Sequence, residues 1–124
     1  MGLPLPKTIL VIDDDPAVTD IITYFLAEKG FNTVSAQSGL EALRCIDNQN
    51  FDLIIMDFYL KLEVFRENVA KIRLKTNAPL ISITGDPGGM SATDRNGINA
   101  VLEKPFNSSE LLTIIESQLR VPGH

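Results

Sequence analysis

Residues 9–16 read Ile9-Leu10-Val11-Ile12-Asp13-Asp14-Asp15-Pro16. An apolar, β-branched run from Thr8 to Ile12 has the composition of a strand and stops on three aspartates. Asp15-Pro16 then opens a helix, with Asp15 as N-cap and Pro16 in the first turn. Val18, Ile21, Ile22, Phe25 and Leu26 recur at helical spacing and predict one buried face. Lys29 and Gly30 close the helix, glycine being able to take the left-handed conformation at a helix C-terminus.

The same alternation continues outward from this unit. Phe31 to Ala36 is a second strand, and Ser38 with Glu41 forms a capping box for a helix whose buried face is Leu40, Leu43 and Ile46. Leu53 to Met56 is a continuous apolar run, as expected of a strand covered on both sheet faces. Val64 to Leu74 reads as a helix through Phe65, Val69 and Ile72, and Pro79 to Ile83 as the fourth strand. Pro87, Gly88 and Gly89 disfavour helix, so any fourth helix is short and late. Ala100 to Glu103 is the fifth strand, and Asn107 or Ser108 caps a last helix with Leu111, Leu112, Ile115 and Leu119 inward. Strands alternating with helices predict an α/β domain on a parallel sheet.

With 124 residues the chain suits one domain, and 44% apolar with 22% charged residues is an ordinary globular composition. Cys45 stands alone, so no intramolecular disulfide forms, which fits a reducing compartment. Met1 to Lys7 carries no apolar run and is not a signal peptide, and no stretch approaches membrane-spanning length. A net charge of −5 argues against direct nucleic-acid binding, and Lys71, Arg73 and Lys75 read as a solvated helix face. The expected organisation is an N-terminal tail over 1–6, one domain over 7–119, and a tail or linker start over 120–124. His124 falls in that tail and is read as inert.

Ligands of open parallel sheets bind beyond the carboxyl ends of the strands. Here the first strand ends in Asp13 and Asp14, the third in Asp57, the fourth in Thr84 and the fifth in Lys104-Pro105. Taken singly, each has an ordinary reading: helix caps, a turn aspartate, a β-former, a surface lysine. Together they gather three carboxylates, a hydroxyl and an ammonium around one crevice. A divalent cation offsets repulsion among such carboxylates, and magnesium favours a few carboxylate oxygens together with a phosphate. Phosphoryl transfer, which needs position and charge neutralisation above all, suits the set, with a carboxylate as covalent acceptor.

The opening segment resembles that of response-regulator receivers of two-component signalling. Leu53-Ile54-Ile55-Met56-Asp57, Ile83-Thr84-Gly85 and Leu102-Glu103-Lys104-Pro105-Phe106 resemble the family's other signatures, in the right order. The resemblance spans about Lys7 to Leu119. It implies a flavodoxin-like, doubly wound five-stranded parallel sheet in the order 2-1-3-4-5, with helices on both faces; a receiver is among the examples commonly cited for that order. It implies that Asp57 is the phosphoacceptor and that Asp14 and Asp57 ligate Mg2+ directly. Asp13 would help through water, and the Tyr59 backbone carbonyl would complete the protein ligands. Thr84 and Lys104 would read the phosphoryl group, and the Lys104–Pro105 bond would be cis. It further implies a cytoplasmic signalling domain, not an enzyme beyond assisting its own phosphorylation and dephosphorylation. Its donor would be a sensor histidine kinase or phosphotransfer protein, and its output an attached domain or a homodimer partner, with no nucleic acid or membrane contact.

Two departures from the family stand out. Leu60 is followed by Lys61, and Leu62-Glu63-Val64-Phe65 arrives at once, which shortens the loop after the acceptor. Val101 occupies the switch position where the family often has Tyr or Phe, and a valine cannot make that residue's swing, so switching must rest on Thr84 and its loop. Two alternatives stay open at this point. One is a degenerate receiver acting as a phosphorylation-independent interaction module. The other is a magnesium-dependent phosphohydrolase, which the Tyr59 position weakens because such enzymes often carry a second Asp there as general acid.

Overall fold

The computed structural model describes residues 5–119; positions 1–4 of the tail expected over 1–6, and the tail expected over 120–124 with His124, lie outside the described residues. The chain runs β1 (Thr8–Ile12), α1 (Pro16–Glu28), β2 (Asn32–Ala36), α2 (Gly39–Asn48), β3 (Leu53–Asp57), α3 (Phe65–Arg73), β4 (Leu80–Thr84), a 3-10 turn (Pro87–Gly89), α4 (Ala92–Arg95), β5 (Ala100–Glu103) and α5 (Ser108–Leu119). The strands form one sheet in the order β2-β1-β3-β4-β5, and every pairing is parallel. The expected strand order is therefore the observed one.

Alternation along the strands sends successive side chains to opposite sheet faces. Leu10, Ile12, Ile54, Met56 and Leu80 pack with Phe65, Val69 and Ile72 of α3. Ile9, Val11, Leu53, Ile55, Ile81 and Ile83 pack with Ile22 and Leu26 of α1 and with Leu111 and Ile115 of α5. Helices thus cover both faces. Each fully buried Ile or Leu contributes about 1.5–3 kcal/mol relative to exposure.

Local chemistry explains the element ends. The Asp15 carboxylate accepts from the Ala17 N–H at 3.0 Å, capping α1 as expected, and Gly30 takes φ +92° after its C-cap. Asn107 and Glu110 form a reciprocal capping box at the start of α5. The fourth helix is short and late, and its own box pairs Ser91 with Asp94. The bond Lys104–Pro105 is cis.

Four expectations need correction. Ile21 is 70% exposed, because the buried stripe of α1 runs Thr19–Ile22–Leu26 and Ile21 lies about 100° away from Ile22. Thr19 can join the stripe because its hydroxyl donates to the Pro16 carbonyl at 3.0 Å. Leu40 is 61% exposed, since the inner face of α2 is set by Gly39 and Ala42, and Leu40 points about 160° from Ala42. Arg73 is not part of a solvated face. It donates to the Gly97, Thr76 and Ala78 carbonyls and to Asn99 Oδ1, tying the end of α3 to the chain around β4 and β5. At Ser38 only half of the expected box forms, with the hydroxyl accepting from the Glu41 N–H at 3.1 Å.

Candidate functional site

The parallel sheet brings the carboxyl ends of β1, β3, β4 and β5 to one edge, and with them the residues singled out from the sequence. Asp13 and Asp14 follow β1, Asp57 is the last residue of β3, Thr84 the last of β4, and Lys104 follows β5. One carboxylate oxygen from each of Asp13, Asp14 and Asp57 lies within 4.8 Å of the others. Asp13 and Asp57 are buried, at 5% and 8% exposure, while Asp14 is exposed.

Each acid is held differently. Asp13 Oδ1 accepts from the Asp15 N–H at 2.9 Å, so its carboxylate turns back toward the cluster instead of capping α1. Asp14 Oδ2 accepts from the Lys61 N–H at 2.8 Å, which fixes the orientation of its carboxylate beside the cluster. Asp57 Oδ1 lies 3.2 Å from the Lys104 ammonium. Burial pushes the Asp57 carboxyl above the usual range, and the Lys104 ammonium pulls it part of the way back. Burial likewise raises Asp13, against the pull of the Asp15 N–H, and the neighbouring Asp57 charge adds to the rise. Two crowded, desolvated acids that resist ionising are what a hard divalent cation relieves. An oxygen-only donor set of this size fits Mg2+.

Thr84 is buried, and its Oγ1 accepts from the Asp86 N–H at 3.1 Å. That bond uses a lone pair, so the hydroxyl proton is still available to donate. Asp86 in turn caps the 3-10 turn through the Gly89 N–H at 3.1 Å. Arg95 of α4 donates to the Pro87 carbonyl at 2.7 Å. Tyr59 stands two residues beyond Asp57 with its side chain exposed. Val101 pairs with Ser82 across β4 and β5 and is half-buried against the α3-side core. The buried Ser82 hydroxyl has no hydrogen-bond partner among the described residues. Cys45 is also half-buried on that side, and burial raises its thiol.

Sequence reading missed Glu63, Gly39 and Asn68. One Glu63 oxygen accepts from the Gly39 N–H at 2.9 Å and from Asn68 Nδ2 at 2.8 Å. No local pattern in the sequence marks them, because Glu63 meets Gly39 only when residues 24 apart in the chain are brought together.

The sequence pattern of the response regulator receiver domain matches residues 9–116. The regulatory protein VanR of Enterococcus faecium is 31% identical over 90% of this chain and 49% of its own length, so the chain spans about half of that relative. A two-component response regulator from Clostridium difficile superposes with a TM-score of 0.86 at 27% identity, covering 95% of this chain and 99% of that one. The response regulator TrrA of Thermotoga maritima, solved in complex with Mg2+-BeF, superposes at 0.82 with 30% identity, over 91% of this chain and 99% of that one.

Proposed function

The chain belongs to the response regulator receiver domain family of two-component signalling, and from that premise we propose that Asp57 accepts a phosphoryl group in a magnesium-dependent reaction. The observation that carries this reading is the convergence of three carboxylates within 4.8 Å. The Mg2+-BeF complex of the similar TrrA supports it.

Asp13, Asp14, Asp57 and the Tyr59 carbonyl are the groups that would hold the cation. Bound magnesium supplies the positive charge that lets an anionic phosphoryl group approach the acids. A carboxylate oxygen of Asp57 attacks phosphorus as the P–N bond of a phosphohistidine donor breaks. The electron pair leaves with the imidazole nitrogen, which picks up a proton, and an acyl phosphate remains on Asp57. The Lys104 ammonium neutralises charge on one phosphoryl oxygen, and the Thr84 hydroxyl donates its free proton to another. Because Thr84 Oγ1 already holds the Asp86 N–H, its movement draws the segment from Gly85 to Gly89 with it. Val101 takes no part in that movement.

The donor is a sensor histidine kinase or a phosphotransfer protein, and the setting is cytoplasmic; no described helix is long and apolar enough to cross a membrane. Output runs through an attached domain or a homodimer partner without direct nucleic-acid contact by residues 7–119. Intact-mass measurement after incubation with acetyl phosphate and Mg2+ tests the reaction. A phosphoryl adduct is expected on the wild type and none on Asp57→Asn. No adduct on the wild type, and no bound beryllofluoride mimic, would leave a phosphorylation-independent interaction module in its place.

A further inference from the structure

The helix α3 starts without a side-chain cap, because Val64 at its N-cap offers no side-chain oxygen. One residue earlier, Glu63 makes contacts sideways. Its single oxygen Oε1 takes the Gly39 N–H, at the first turn of α2, and the amide of the buried Asn68 on α3. Free N–H groups at a helix start call for such an acceptor, and a carboxylate is favoured there. The contact depends on a bare Cα at Gly39, since a Cβ would stand 2.8 Å from Glu63 Oε1 and closer still to the Asn68 side chain.

Between Asp57 and this anchor the chain has little slack. The Glu63 N–H donates to the Leu60 carbonyl at 3.1 Å, and Leu62, wholly exposed, is held at φ +65°. A non-glycine residue there costs about 1–2 kcal/mol and persists only where its surroundings dictate the conformation. The turn so closed aims the Lys61 N–H at Asp14 Oδ2.

We propose that Glu63 is a positioning residue for the metal site: by pinning the Leu60–Glu63 turn to α2 and α3, it makes the Lys61 amide orient the Asp14 carboxylate toward the cation. This rests on the reading of the acidic cluster as a magnesium site. Groups that orient ligands from outside the coordination shell typically change metal affinity about 10–100-fold when lost.

Calorimetric Mg2+ titration of the unphosphorylated protein, with amide exchange at Lys61 measured before metal is added, tests the proposal. Glu63→Ala should weaken Mg2+ binding at least about tenfold and expose the Lys61 amide to exchange. Glu63→Gln should keep most of the affinity, because its carboxamide oxygen can accept the same two bonds. Gly39→Ala should behave as Glu63→Ala. If Glu63→Ala does not fold, Glu63→Asp, one methylene too short to reach both donors, should show the same loss. Wild-type affinity in a folded Glu63→Ala or Glu63→Asp protein overturns the proposal. So does equal loss in Glu63→Gln, which would mark the negative charge of Glu63, and not the two bonds it accepts, as the source of the effect. If the wild type itself binds no Mg2+, the magnesium-dependent function fails and the proposal with it, a result distinct from failure in the variants only.

Discussion

Two loops leave the same edge of the sheet and are held by different means. The loop from Asp57 to Phe65 is tied to other elements: Lys61 to Asp14 after β1, and Glu63 to α2 and α3. Beneath it the Phe58 and Phe65 rings meet at 4.9 Å between centroids. The loop from Thr84 to Ser91 is held over shorter sequence distances: the Asp86 N–H to the Thr84 hydroxyl, the Gly89 N–H to Asp86, and Arg95 of α4 to the Pro87 carbonyl, with Met90 buried in the core. The first arrangement resists displacement and suits a metal site that must be ready before the donor arrives. The second has one strong handle at the reacting crevice, so pulling that handle moves the whole turn. Rigidity and response are thus divided between neighbouring loops.

The largest test of this contrast is Phe65→Ala. Deleting the buried ring beneath the fixed loop should cost about 3–5 kcal/mol in denaturant unfolding. A loss under 1 kcal/mol would mean that the loop is held less firmly than its contacts imply. Next comes metal linkage. Mg2+ at about a hundred times its Kd should stabilise the wild type by about 2.7 kcal/mol, and Asp14→Ala should erase most of that shift. Asp13→Asn should stabilise the metal-free fold, because it removes a buried acid that resists ionising, while reducing the gain from Mg2+. A destabilised metal-free Asp13→Asn protein would contradict this view of the crowded acids.

Smaller in energy but sharper for the contrast is Thr84→Val. Losing one hydrogen bond should cost about 1 kcal/mol. Beryllofluoride should still bind, yet the amide shifts of Gly85 to Gly89 should vanish, with those of Leu60 to Glu63 unchanged. Persistent shifts in the first set would show that Thr84 is not the handle. The smallest effect belongs to Asp86→Ala, about 0.5 kcal/mol for a lost cap. It should broaden the loop response, not abolish it, in the same spectra.

Much of this was legible in the chain because strand ends are marked by abrupt changes of residue type. Apolar runs stopping on Asp13, Asp57, Thr84 and Lys104 were enough to locate the crevice edge, and the parallel topology does the gathering. Helix faces were less legible. Hydrophobicity alone put Ile21 and Leu40 inside, whereas Thr19 and Gly39 hold those inward positions, one by satisfying its own hydroxyl and the other by having no side chain. Arg73 and Glu63 were opaque for a further reason. A charged side chain that bonds backbone groups distant in sequence leaves no local pattern, and its partners emerge only when helices and loops are brought together.

The bare Cα of Gly39 carries a consequence for how relatives of this chain can diverge. Positions 39, 63 and 68 share one volume, so none can change freely while the others stay. A longer loop after Asp57 would release Glu63 from its reach, and a side chain at 39 would then become tolerable. Glycine at 39 should accordingly travel with the short loop and with an acceptor at 63 across related sequences, and be lost together with them.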